Sequence, residues 1–341
     1  MPGKGFMTRR RSFSANLLKN TLRRSVAGIL FCMVPCLAAA QPLDVPASFQ
    51  QGLVEIRNGR FRQAIETSQA LRSAFPQHPL AVLIAAEAYW AMIYCQTGHI
   101  NSREIWNEAD TKTSSYDKEF FQAVDKALEL SQQMRLHPAS AAAGALYAGL
   151  ARGARARLYA LREQSLKSAT EAKQMRADLL EAVAKDPQLE PDADLGLGTY
   201  NYYADALSPI LKLFRLVLRI PGGDRQKGLE QLRTASEQAV LWKEEAKYEL
   251  ARIYGVREGR HSEALSLVQE LAERHPANPL YALFAGFQAE AGGKGSAAIE
   301  YCQKAAEAAA KMESDCRERW LEASKGALVR LQGSKAIGKK D

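Results

Sequence analysis

The chain has 341 residues, 47% of them apolar and 25% charged, enough to bury the core of one large domain or two ordinary ones. Its net charge of +8 suggests a polyanionic partner until the charges are placed. Seven of the 46 lysines and arginines fall in the first 40 residues, which hold no acid, leaving 39 cations against 38 acids in the rest. A body so nearly neutral has no overall field to steer nucleic acid, and the reading excludes that class of partner.

Those first 40 residues account for their own charge. Lys4, Arg9, Arg10, Arg11, Lys19, Arg23 and Arg24 precede the apolar run Val26–Leu37, and Ala38-Ala39-Ala40 stands before Gln41-Pro42. A basic region, an apolar region and a small-residue site make a secretory signal cut after Ala40, which predicts a periplasmic protein. The run is short for a membrane span, which needs about 20 residues. Three rivals fit less well. Cys32 and Cys36 lack the small residues that precede a lipidated cysteine, and Arg10-Arg11-Ser12-Phe13 lies far from the apolar run for a twin-arginine signal. A mitochondrial presequence would share the basic, acid-free character. Export would leave Cys95, Cys302 and Cys316, too few for a disulfide framework. A Cys302–Cys316 bridge stays open if their backbones come within about 7 Å. The favoured reading keeps all three as small buried hydrophobes.

From residue 41 to 332 the chain reads as helical hairpins. Two segments 200 residues apart superimpose without a gap: Gly59-Arg60, Ala64-Ile65, Leu71, Pro76 and Pro79 match Gly259-Arg260, Ala264-Leu265, Leu271, Pro276 and Pro279. A partial third copy runs Gly293-Lys294, Ala298-Ile299 and Ala305. The glycines mark a left-handed end to a first helix, the alanines a close crossing by a second, and the prolines the stop and restart. This pattern resembles the tetratricopeptide repeat (TPR), and the resemblance implies an all-α solenoid. Helical period then gives six hairpins: 48–58 with 61–75, 79–96 with 114–135, 139–163 with 165–184, 190–206 with 224–238, 239–256 with 261–274, and 278–291 with 295–311. A capping helix follows at 314–332, and the tail 333–341 is expected to be disordered.

Two stretches break the rhythm. Gln96–Ser114 is long for a hairpin turn and carries Trp106, read as an anchor folding back on the neighbouring hairpin. Leu207–Gly223 is apolar apart from Lys212, Arg215 and Arg219, which share one stripe of a helix. Such a segment fills a groove between hairpins or lies on a membrane surface, and the three cations are the candidate membrane contacts.

The surrounding block runs Gly196-x-Gly198-x-Tyr200-Asn201-Tyr202, Pro209, then Ile220-Pro221-Gly222-Gly223-Asp224-Arg225 and Gly228-Leu229. It resembles a TPR family of eukaryotic outer-membrane and lipid-droplet-linked proteins with bacterial relatives. The resemblance implies an adaptor, not an enzyme.

The residues point to recognition over catalysis. Pro221–Arg225 is a Gly-rich turn into a helix but lacks a P-loop's Gly-Lys-Ser/Thr, and Asp224 reads as an N-cap. None of His78, His99, His137, His261 and His275 has another ligand at i+3 or i+4, and Cys95 has no signalled base. Hence no metal, cofactor or catalytic residue is assigned. The first helix of each hairpin in a TPR array builds a concave wall, where aromatic, amide and cationic side chains grip a protein or peptide. The candidates there are Tyr89, Trp90, Tyr94, Arg155, Tyr159, Tyr200, Asn201, Tyr203, Trp242, Lys247 and Tyr248.

Overall fold

One left-handed turn, repeated, folds this chain. The computed structural model describes residues 45–97, 100, 112–206 and 219–337, all within the unit that runs from Pro42 to Asp341. The expected leader, Trp106, Lys212 and Arg215 lie outside the described residues. Thirteen α-helices and no strand occur among the described residues. They are α1 (Ala47–Arg57), α2 (Phe61–Ala74), α3 (Pro79–Thr97), α4 (Asp117–Arg135), α5 (Ala141–Leu161), α6 (Ser165–Lys185) and α7 (Glu190–Asp205). Then follow α8 (Arg225–Gln238), α9 (Lys243–Arg252), α10 (His261–Arg274), α11 (Pro279–Ala291), α12 (Gly295–Ala310) and α13 (Arg317–Ile337). The six expected hairpins are α1–α2 through α11–α12, and α13 caps the last.

Four of the six hairpins close through the same turn. Gly59, Glu163, Gly259 and Gly293 have φ of 73°, 56°, 65° and 74°. The amide after each reaches back to a helix carbonyl at 2.8 Å: Arg60 to Glu55, Gln164 to Tyr159, Lys294 to Ala289 and Arg260 to Tyr254. Reaching five residues back while the intervening residue is left-handed satisfies carbonyls that a helix end otherwise leaves bare. Arg260 reaches six back, because α9 runs into a π-turn over Ile253–Arg257 that inserts one residue. The remaining two hairpins, α3–α4 and α7–α8, are those with the long connections.

Periodicity decides what each helix buries. The second helices α2, α4 and α10 carry one apolar face. By contrast α3 is apolar all round and buries 15 of its 19 residues. It is the one helix among the described residues long and apolar enough to cross a membrane, and 78% of that stretch is buried inside the protein. One apolar cluster draws buried residues from every helix except α8. Leu229 and Leu232 of α8 pack in a smaller cluster with Tyr202, Leu250 and Tyr254.

The two ends of the array meet. Cys95 near the end of α3 is disulfide-bonded to Cys316 just before α13, 221 residues away, with Cα atoms 5.6 Å apart. This corrects the reading of the cysteines as three free thiols. Among the described residues Cys302 alone is free, buried against Gly286, and burial pushes its thiol up to about 11. The tertiary fold, not the short α12–α13 connection, chose the partner of Cys316.

Around the bridge the α1–α2 turn docks on the fifth and sixth hairpins. Arg57 donates to the Leu241 carbonyl at 2.7 Å and to both Glu245 carboxylate oxygens at 2.9 Å. Asn278 donates to the Arg57 carbonyl at 3.0 Å, and Asp315 is bound by Arg62 and by the Tyr116 hydroxyl. The segment from Met312 to Cys316 leading into the capping helix therefore joins the sixth hairpin to the first two. The capping helix continues to Ile337, beyond its expected end at 332, since no proline follows to stop it.

Candidate functional site

Packing between neighbouring hairpins changes what the first helices face. Of the eleven residues expected on a concave wall, Trp90, Tyr94, Tyr200, Trp242 and Lys247 are buried. Tyr89, Arg155, Tyr159, Asn201, Tyr203 and Tyr248 are half-buried. Most have partners within the fold. The Arg157 guanidinium lies 4.3 Å from the Trp90 ring while pairing with Glu87 at 2.6 Å. Lys247 pairs with Glu270 at 2.5 Å, and Arg252 donates to the Tyr203 hydroxyl at 2.7 Å. Burial pushes that hydroxyl up to about 12, with Arg252 pulling the other way. Tyr248 meets Tyr281 and Phe284 edge-on, with ring centres 5.6 Å away in each case, and Tyr89 stacks on Tyr116.

The glycine-rich central block is a packing device. A Cβ on Gly228 would come within 2.7 Å of the Gly198 carbonyl oxygen and 2.6 Å of the Tyr202 nitrogen, so α7 and α8 cross backbone to backbone. Tyr200 donates to the Pro221 carbonyl at 2.7 Å, and Asn201 is tied through Gln231 to Asp194. Burial lifts the Asp194 carboxyl to about 6 despite the bond from Gln231. Asp224 caps α8, accepting from the Lys227 amide at 3.0 Å, as its position before the helix predicts. Arg225 binds Glu258, which the Tyr202 hydroxyl also contacts. Arg219, exposed at φ 50°, is the one candidate membrane contact among the described residues.

Arg155 and Tyr159 stand apart because they share an open depression of about 360 Å³ with Phe121, Asp125, Gln164 and Lys167. Phe121 and Asp125 stand one turn apart on α4, and Arg155 and Tyr159 likewise on α5. Gln164 and Lys167 come from the left-handed turn and the first turn of α6. The walls are aromatic, with Phe121 and Tyr159 ring centres 5.5 Å apart, and Lys167 Nζ is 5.4 Å from the Tyr159 ring centre. Arg155 is fixed by Asp125 at 2.7 Å and by Glu171 at 3.0 Å. Its Nε–H is buried without an acceptor. Aromatic walls, fixed guanidinium donors and an exposed ammonium suit an extended chain carrying acceptors. The sequence missed Phe121, Asp125, Gln164 and Lys167, which come from a second helix and a turn and have no spacing in common with the residues on α5.

Comparison with known proteins finds distant alignments with two solved structures. The human IFIT1 dimer with PPP-AAAA aligns with a TM-score of 0.41 and 14% identity over 81% of this chain and 62% of that one. The P58(IPK) TPR domain aligns with a TM-score of 0.24 and 15% identity over 84% of this chain and 98% of that one. The all-α array of consecutive hairpins rests on the chain's own helices and turns. The chain spans 62% of the length of the IFIT1 chain. No protein-family model and no curated protein matches it.

Proposed function

We propose that this TPR-like chain is an exported, non-catalytic scaffold or adaptor that holds a protein or peptide in the α4–α5–α6 depression. The observation that carries the binding reading is the convergence there of Arg155 and Tyr159 with Phe121 and Lys167 around an open concavity. Residues expected on the inner wall elsewhere are engaged in packing and hydrogen bonds. That leaves this edge of the array to take an outside chain. Kinship with the outer-membrane and lipid-droplet-linked adaptors belongs to the same proposal, supported by the order of residues from Gly196 to Leu229. Of the candidate membrane contacts, Lys212 and Arg215 lie outside the described residues. The adaptor reading does not depend on them.

Support for export is chemical. Two thiols 221 residues apart joined as a disulfide suit an oxidising compartment, where such bonds form and persist. The leader ending at Ala40 would take the chain to the periplasm. Peptide mapping of the expressed protein without reductant should recover a linked Cys95–Cys316 pair and a mature terminus at Gln41. Reduced thiols on an unprocessed chain would overturn export. For binding, a photoreactive residue at Gln164 should crosslink a partner, and the yield should collapse when Tyr159→Ala is added. Equal yield with and without that change would remove the depression from the proposal.

A further inference from the structure

Three features of the depression bear on what kind of chain it would take. Lys167 is exposed, its ammonium held over the Tyr159 ring, and among the described residues no carboxylate lies within ion-pair distance of it. Arg155 has one exchangeable partner, because the Asp125 side chain is 65% exposed while Glu171, at 14%, is shared with Arg152. The third is the Nε–H of Arg155, buried without an acceptor, so that Asp125 and Glu171 do not fully satisfy the guanidinium.

Resting on the binding reading above, we infer that the depression selects an acidic peptide segment, with a carboxylate between Lys167 and Arg155 and a neighbouring aromatic or aliphatic side chain against Phe121 and Tyr159. A carboxylate between the two cations would supply Lys167 with a counter-ion and could displace Asp125, which water already solvates. The adjacent apolar side chain would cover the two rings, whose faces are half-buried and therefore cheap to desolvate further. The site lies at the edge where α5 turns into α6, on helices of two different hairpins. Unlike Trp90, Tyr94 and Trp242, which are buried, Arg155 and Tyr159 line an open depression.

Selecting a library of short random peptides against the immobilised full chain tests this. Enriched sequences should place Asp or Glu beside Phe, Tyr or Leu. A synthetic peptide from that set should lose at least about tenfold in affinity with Lys167→Glu or Tyr159→Ala, and should weaken as salt is raised. Lys173→Glu, an exposed change further along α6, should leave affinity unchanged. Helical circular dichroism confirms that each variant is folded. Equal losses from Lys173→Glu, or equal competition by a single-stranded oligonucleotide, would mean a diffuse cationic surface and overturn the proposal. Enrichment of non-acidic peptides that still depend on Tyr159 would overturn the acidic preference while leaving the binding site standing. No enrichment at all would remove both.

Discussion

The turns at Gly59 and Gly259 have the same sequence register and nearly the same backbone, yet the first glycine is covered by another hairpin and the second is exposed. A Cβ on Gly59 would come within 2.9 Å of Met312 Cε, whereas nothing lies within 4 Å of the corresponding point on Gly259. Arg57 is 8% exposed in a buried ion-pair cluster, and its counterpart Arg257 is exposed. A repeat therefore specifies its own hairpin, while its neighbours decide what each turn has to do. In the first hairpin the turn became the seam that closes the array.

The largest test of that difference is covalent. Cys316→Ser opens a loop of more than 200 residues and should cost about 5 kcal/mol of stability in urea unfolding on the loop-entropy account. Hydrogen exchange should then accelerate at the Gly59 turn and hardly at all at the Gly259 turn. Equal acceleration at both would break the contrast between the covered and the exposed turn.

Next is charge. Burial opposes the Arg57 cation, but Glu245 and Glu244 outweigh it and hold the guanidinium above its ordinary value. Arg57→Ala would strip half-buried Glu245 of its partner and leave Glu244 with only Arg274 and His275, and should cost about 2–3 kcal/mol. Arg257→Ala, which removes only a contact 5.9 Å from the Tyr203 ring, should cost less than about 1 kcal/mol in the same assay.

Acid probes the same seam. Burial tends to raise the Glu244 carboxyl, but hydrogen bonds from His275 and Arg274 and the charge of Arg57 hold it at about 2. A carboxyl depressed on folding contributes stability that is whole above its unfolded value near 4.5 and is lost as pH falls toward about 2. Stability measured across that window should drop by up to roughly 3 kcal/mol from this group, and Glu244→Gln should flatten the profile. An unchanged slope in the variant would show that the seam does not depend on this carboxylate.

The smallest effects separate the two glycines. Both Gly59→Ala and Gly259→Ala force a side chain into a left-handed turn, at about 1 kcal/mol. Gly59→Ala must also displace Met312, for roughly 1 kcal/mol more. Thermal unfolding that ranks the pair the other way would contradict the docked turn.

Much of the fold is legible because it is local. Gly59, Gly259 and Gly293 supply the left-handed residue, Pro79 and Pro279 open the next helices, and Ala64 and Ala264 are fully buried where helices pack closely. Glu163 takes the same turn without glycine, so the sequence pattern fades in the third hairpin while the backbone keeps it. The candidate site was half legible. Arg155 and Tyr159 stood out as large side chains on a first helix, but Phe121 and Lys167 join them only because α4 and α6 pack on either side of α5.

By itself the sequence determined an all-α array of six hairpins and a cap, since turn chemistry and helical period act over a few residues and need no distant partner. It also determined that the positive charge belongs to the first 40 residues. Only the tertiary structure decided that the array closes on itself, pairing Cys95 with Cys316 and Arg57 with Glu244 and Glu245. The bridged cysteines lie 221 residues apart, and no short-range spacing encodes such a pairing. Packing between neighbouring hairpins turned most of an expected recognition wall into core and left the edge around Tyr159 and Lys167 open.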